Sequence, residues 1–339
     1  MDNVTHTLTG IALSQAGLRR KTRFALLALI VGSNLPDIDV IASGGGIGYL
    51  KYHRGITHSL VGLTGLAAIL AVGIWLYGRR ASPRKNAPPL NLKWLFIVCW
   101  IATACHVLMD YTNSYGVRPF LPFSGHWFAL DLMPLVGPYL LLVLIVGLAV
   151  PAILRLAGAE AGWEKTGAAL AKNGAIFSLC AMLGIWGLRG LSRSRALEML
   201  NSHTYGQENP SRTGAFPRVL SPFEWTGVVE TGRADYVLRV NSLATDVNVR
   251  NAEALLKPEP SAGLRAARKT PAARIFLQFA RFPWAMILRT EKGYEVYLRD
   301  LRFASPGSGR WGFVLRIFLT ASLRVREESF VFSMKKPFE

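Results

Sequence analysis

Charge is what this 339-residue chain has least of. Only 18% of its residues are Asp, Glu, Lys or Arg, where a water-soluble domain ordinarily carries about a quarter, and its mean hydropathy lies above zero. The deficit is concentrated before residue 190, where long apolar runs alternate with short basic loops; residues 191 to 339 have the mixed composition of a soluble domain. Cysteine is scarce as well. Cys99, Cys105 and Cys180 all lie inside apolar segments, and an odd number placed there excludes a disulfide framework. Acidic residues number 21 against 39 Lys and Arg. That excess does not imply nucleic acid, because a nucleic-acid face needs its basic residues clustered on one soluble module, and many of these lie in short loops between apolar segments. No nucleic-acid partner is expected; anionic lipid headgroups are. No basic stretch precedes the first apolar run, where Asp2 stands, so the N-terminus is expected to be retained. There is no internal repeat.

What is there is a series of apolar runs. A bilayer core of about 30 Å takes roughly 20 apolar residues as helix, and Leu60 to Tyr77, Trp94 to Met109, Leu132 to Leu156 and Ala175 to Leu188 approach or reach that length. The last holds two glycines, Gly184 and Gly187, and is followed by Arg189, Arg193 and Arg195, which also fits a tilted or interfacial helix. Two shorter runs, Val4 to Leu18 and Phe24 to Leu35, flank the basic turn at Arg19 to Arg23 and read as a helical hairpin. If that turn is cytoplasmic, twelve Lys or Arg fall on its side (four in the turn, five from Arg79 to Lys93, and Arg155, Lys165 and Lys172) against Lys51, Arg54 and Arg118 opposite. By the positive-inside rule the segments around Pro36 to His58 and Tyr111 to Asp131 are then non-cytoplasmic, as is the C-terminal region if the last apolar helix spans.

The C-terminal region offers strand-like runs at Trp225 to Glu230, Tyr236 to Val240, Trp284 to Arg289, Tyr294 to Leu298, Phe313 to Leu319 and Ser329 to Phe332. A small antiparallel sheet is predicted, with Lys257 to Ala273 as a linker or loose helix. The expected fold is mainly α: a polytopic helical membrane domain over residues 1–190, then a smaller soluble β-rich (α+β) domain over 191–339.

Five of the six histidines precede residue 127 and travel with aspartates. His6 lies near the start of the first helix. Asp37 and Asp39 follow Pro36, and two carboxylates at the end of an apolar helix are costly unless solvated or bound to a cation. His53, Arg54 and His58 precede the first long run. His106 and Asp110, four apart, share one helix face. Singly, each has a plain reading as a helix cap, a turn residue or an interhelical hydrogen bond. Jointly, a hairpin turning at Arg19 to Arg23 returns His6 to the face of Asp37 and Asp39, where His58 begins the next helix and where His106 and Asp110 arrive. Imidazole and carboxylate without thiolate suit a divalent metal, zinc first and manganese or iron next, and seven candidates allow one ion or two. Such a centre would activate water for attack on a phosphoryl or acyl group. Arg54 would then neutralise an oxyanion, or else snorkel at the interface. Asp39, His58 and Arg54 are the expected catalytic groups.

The strings DNVTHTLTG (Asp2 to Gly10), NLPDIDV (Asn34 to Val40), HRGITHS (His53 to Ser59), HVLMDYTNSYG (His106 to Gly116) and LPFSGHWFALD (Leu121 to Asp131) resemble the YdjM/YbcI family of bacterial membrane-bound metal-dependent hydrolases, known as LexA-binding inner-membrane-associated proteins. The match is good over residues 1 to 140 and loose beyond. The resemblance implies an inner-membrane protein with a metal site at His6, Asp37, Asp39, His53, His58, His106 and Asp110, and adds Asp131 as a later acidic position. It departs at Gly137 and Pro138, where the family pattern usually has Asp-Pro, and at His126. The His-x-x-x-Asp pair is also similar to all-helical zinc phospholipase C and nuclease sites, which points to a lipid or phosphoester substrate. Two alternatives stand beside the hydrolase: a non-catalytic membrane protein with a structural metal, and an ion- or proton-handling transporter, against which the clustering of polar residues near one face counts.

Overall fold

The computed structural model describes residues 1–83, 85–160 and 164–337; Arg84 of the basic loop lies outside the described residues, as do the last two positions of the expected C-terminal domain. The chain divides into two compact units, Met1–Asp39 with Arg54–Leu188, and Val40–His53 with Arg189–Glu339.

The first unit is helical. Asp2 caps α1 (Asn3–Ala16) by accepting from the Thr5 amide at 2.9 Å, and Gly17, at φ 147°, ends it. After the basic turn comes α2 (Ala25–Gly32), and a break at Ser33–Asn34 precedes a second short helical stretch; the pair Ala25–Gly32 and Leu35–Ala42 is bent by 50°. Pro36 just beyond the break disfavours uninterrupted helix through it. Ser59 caps α5 (Leu60–Arg80) and Asn91 caps α6 (Leu92–Tyr111); α7 (Pro138–Glu160) and α8 (Glu164–Asn201) follow. Among the described residues, four helical stretches are long and apolar enough to cross a membrane: Leu60–Arg80, Leu92–Tyr111, Pro138–Leu156 and Gly167–Asn201, with the bent pair as a fifth at most. The hairpin and all four long runs expected from the sequence are therefore helices, and the last run is far longer than expected.

Small residues set the packing of these helices. Ala25 and Ala28 of α2, Ala67 and Ala71 of α5 and Ala102 of α6 share one core with Leu29, Leu95, Val98 and Cys99. In lipid, apolar side chains gain nothing by leaving their surroundings, so close backbone approach through small residues is what holds helices together. At the α7–α8 crossing a Cβ on Gly174 would lie 2.3 Å from the Gly147 carbonyl oxygen. Any larger residue there forces the pair apart.

The second unit carries α3 (Asp39–Ala42) beyond its first residue, α4 (Gly46–Tyr52) and two antiparallel four-stranded sheets. One has the order β1 (Arg212–Pro217), β2 (Glu224–Glu230), β3 (Ala234–Asn241), β4 (Glu253–Leu256); the other β5 (Pro283–Thr290), β6 (Gly293–Asp300), β7 (Arg310–Leu319), β8 (Val325–Lys335). Two sheets replace the single one expected, because the edge strands β1 and β4 owe their conformation to pairing: β1 contains Gly214 and ends at Pro217, and β4 is four residues long. Helix is correspondingly less dominant than a mainly α chain implies. Phe216, Val228 and Val237 of the first sheet share a core with Trp284, Tyr297, Trp311 and Val314 of the second. The stretch expected as a linker folds largely as α9 (Ala262–Arg268) and the start of α10 (Pro271–Phe279), each capped by its own hydroxyl, Ser261 and Thr270.

Candidate metal centre

The break after α2 releases the Ser33 carbonyl from the helical hydrogen-bond ladder, and His106 of α6 uses it: its Nδ1–H donates to Ser33 O at 2.7 Å. A carbonyl only accepts, so this bond fixes the tautomer and leaves the Nε2 lone pair free. A similar device sits behind His58, which closes the turn before α5. Its Nδ1 lies 3.2 Å from Asp39 Oδ2, and that oxygen also accepts from the Thr57 hydroxyl at 2.7 Å. Both rings thus present Nε2 to the same point.

At that point the two Nε2 atoms are 3.2 Å apart. Asp37 Oδ1 lies 3.4 Å from His58 Nε2 and 3.5 Å from His106 Nε2, and Asp110 Oδ2 repeats those two distances. For metal–ligand bonds of about 2.0–2.1 Å, the edge of a ligand tetrahedron is about 3.3–3.4 Å. The four side chains thus form a group able to hold a metal ion. Asp37 Oδ1 and Asp110 Oδ2 are buried and have no hydrogen-bond partner among the described residues, which is costly for carboxylate oxygens unless a cation or proton satisfies them. Burial opposes charge on His58, yet the carboxylates of Asp110, Asp37 and Asp39 raise its pKa to about 9.

Around the four ligand candidates stand side chains that hold them. The Arg54 guanidinium donates to Asp110 Oδ1 and Asn113 Oδ1, each at 2.9 Å, and to the Gly116 carbonyl at 3.3 Å, and it lies over the Tyr115 ring. Arg54 itself has φ 53°, a left-handed conformation disfavoured for a residue with a Cβ. The Met1 amino group donates to the same Asp110 oxygen. His6 stacks on His106 with ring centroids 3.9 Å apart; its Nε2 is 3.5 Å from Asp110 Oδ1, and neither of its nitrogens has a hydrogen-bond partner among the described residues.

The structure therefore brings together Asp37, His58, His106 and Asp110, with His6, Asp39 and Arg54 directly around them. His53 ends α4 and belongs to the second unit, its ring 4.5 Å from Tyr49. Asp131 is buried at φ 58° and lies outside the four-residue group. His126 is exposed. Sequence reasoning missed the Ser33 carbonyl and the Thr57 hydroxyl. Pro36 signals the helix break that frees the first, whereas nothing in the sequence marks the second.

A family model described as YdjM inner membrane protein matches residues 1–196, more than half of the chain. A second, described as YfhP C-terminal alpha/beta plait domain, matches residues 263–336. The chain is 23% identical to "Uncharacterized protein YfhP" of Bacillus subtilis (strain 168), over 99% of this chain and 97% of that protein. No solved structure matches.

Proposed function

The chain belongs to the YdjM inner membrane protein family, and from that premise we propose that it is a membrane-bound, metal-dependent hydrolase acting on a phosphoester or lipid-type substrate at the non-cytoplasmic face. The observation that carries this reading is the set of four nitrogen and oxygen atoms, five of whose six separations lie at 3.2–3.5 Å, two of them carboxylate oxygens with no hydrogen-bond partner among the described residues. A divalent ion held by Asp37, His58, His106 and Asp110, zinc first by donor chemistry, would supply Lewis acidity and lower the pKa of water towards neutrality. The protein's own groups do the rest. Ser33 O and Asp39 fix the two imidazoles, and Arg54 orients Asp110. With its donors turned to Asp110, Asn113 and Gly116, Arg54 is a positioning residue in this scheme.

A second reading has its own observation: His58, His106 and Asp110 are completely buried and four protein donors already fill a tetrahedron, as in structural metal sites. One experiment separates the two. Metal content of the detergent-purified protein is measured by elemental mass spectrometry for wild type, His58→Ala and Asp110→Ala, alongside hydrolysis of an aryl phosphodiester. Metal and turnover lost together in both variants is the expected result. Metal present without turnover on any phosphoester would leave the structural reading, and turnover surviving in either variant would refute the assignment of the centre.

A further inference from the structure

Three of the four ligand candidates have no exposed surface; Asp37 alone is partly exposed, at 16%. Within the first unit, whatever reaches the ion past these side chains arrives beside Asp37. Asp37 also lines a shallow groove of about 490 Å³ together with Asn3, Ile30, Val31, Asn34, Leu35 and Ile38. The groove runs along the bent pair Ala25–Gly32 and Leu35–Ala42, which is apolar enough to enter the bilayer. Its lining is thus mainly aliphatic, with two asparagines and the carboxylate of a ligand candidate beside them. That arrangement suits neither a free inorganic ion, for which aliphatic walls offer nothing, nor a wholly apolar molecule, for which the carboxylate and the ion are a penalty.

We infer that this groove is the substrate's approach, and that the substrate is a single-chain or splayed-chain amphiphile whose apolar chain lies along Ile30, Val31 and Leu35 while its anionic head meets the ion beside Asp37. The inference rests on the metal-dependent reading above and adds to it the route and the shape of the substrate. A bent helix pair supplies both parts. The bend opens the surface between the two short helices, and the same break frees the carbonyl that orients His106.

Chain length provides the test. Protein in lipid nanodiscs is loaded with Mn²⁺, its metal content is measured, and inorganic phosphate, methyl phosphate and n-butyl phosphate are titrated by the broadening of their phosphorus NMR lines. Each methylene buried from water strengthens binding about fourfold, so full burial of the three extra methylenes favours butyl over methyl phosphate by about fiftyfold. A preference above tenfold is the expected result. Leu35→Trp, which fills the groove, should remove most of that preference, read as the ratio of butyl to methyl phosphate affinity; a ratio unchanged from wild type overturns the groove as the chain's path. Equal affinity for all three phosphates in metal-loaded wild type overturns this inference, because the head then binds from water unaided by any chain. Failure to load Mn²⁺ or zinc overturns the metal-dependent reading itself, which is a different and separately visible outcome.

Discussion

Both units bury charge, but they satisfy it differently. In the second unit the fully buried Asp300 and Arg302 satisfy each other: Arg302 Nε donates to Asp300 Oδ2 at 2.7 Å, the same carboxylate accepts from the Arg302 and Phe282 amides, and Arg302 Nη2 reaches the Phe279 carbonyl. Arg189 lies 4.1 Å from the Trp225 ring and donates to Ser221 O. In the first unit the buried charges face inward on a common point, with one oxygen of Asp37, one of Asp110 and both nitrogens of His6 lacking hydrogen-bond partners among the described residues. A buried ion pair with internal partners is architecture. A buried cluster of imidazoles and carboxylates converging on one point is a group that could hold a metal ion. Burial alone therefore says little about function, and orphan atoms alone say little more, since Arg299 Nε and Nη1 of the second unit are also buried without hydrogen-bond partners among the described residues; the convergence separates the two cases.

The comparison is open to attack at several points. The largest effect belongs to Asp300→Ala, which strands Arg302 without its carboxylate; loss of one partner of a buried pair costs about 3–5 kcal/mol, and hydrogen exchange on β6 and β7 in the full-length protein should report it. Near-normal protection there would mean that the pair is not architectural. Next comes metal. Zinc or manganese at a hundredfold excess over Kd should stabilise wild type by about 2.7 kcal/mol, visible as a raised Tm, and His58→Ala should abolish that shift. An equal shift in the variant would place the ion elsewhere. Asp39→Asn leaves His58 in place but weakens its orientation, and should lower metal affinity about 10- to 100-fold by calorimetry while the fold persists; unchanged affinity would remove Asp39 from the centre.

The smallest effect is one of pH in the second unit. Burial raises the Asp235 carboxyl to about 6, against the opposing pull of Lys257 at 3.3 Å. Folded protein then holds this proton more tightly than unfolded protein, so the contribution to stability is greatest below about pH 4 and is lost as pH rises through 6. Asp235→Asn should flatten that dependence by on the order of 1 kcal/mol. An identical pH profile for the variant would show that Lys257 already neutralises the carboxylate.

Much of this was legible from residue types and spacing. The apolar runs declared the helices, and His106 with Asp110 declared a shared face, because helix period and bilayer thickness are sequence-level constraints. Six of the eight strands were visible for similar reasons. The edge strands β1 and β4 were not, since what makes them strands is a neighbour supplied by tertiary structure. Arg54 shows the same limit within the site. Its place beside His53 suggested a free cation, and only coordinates reveal a guanidinium already committed to Asp110 and Asn113. The segment Val40–His53, which groups with the second unit although flanked on both sides by the first, has no sequence signature at all.

The release of the Ser33 carbonyl to His106 has a consequence in time. Asp37 leaves the ribosome long before His106 and Asp110 do, so during synthesis its carboxylate sits beside an apolar hairpin with neither imidazole bridge nor counter-ion. The break that orients His106 is likewise built before the ring it serves. The four-residue group is therefore complete only once α6 has docked against α2, so any ion it holds would enter late in biogenesis.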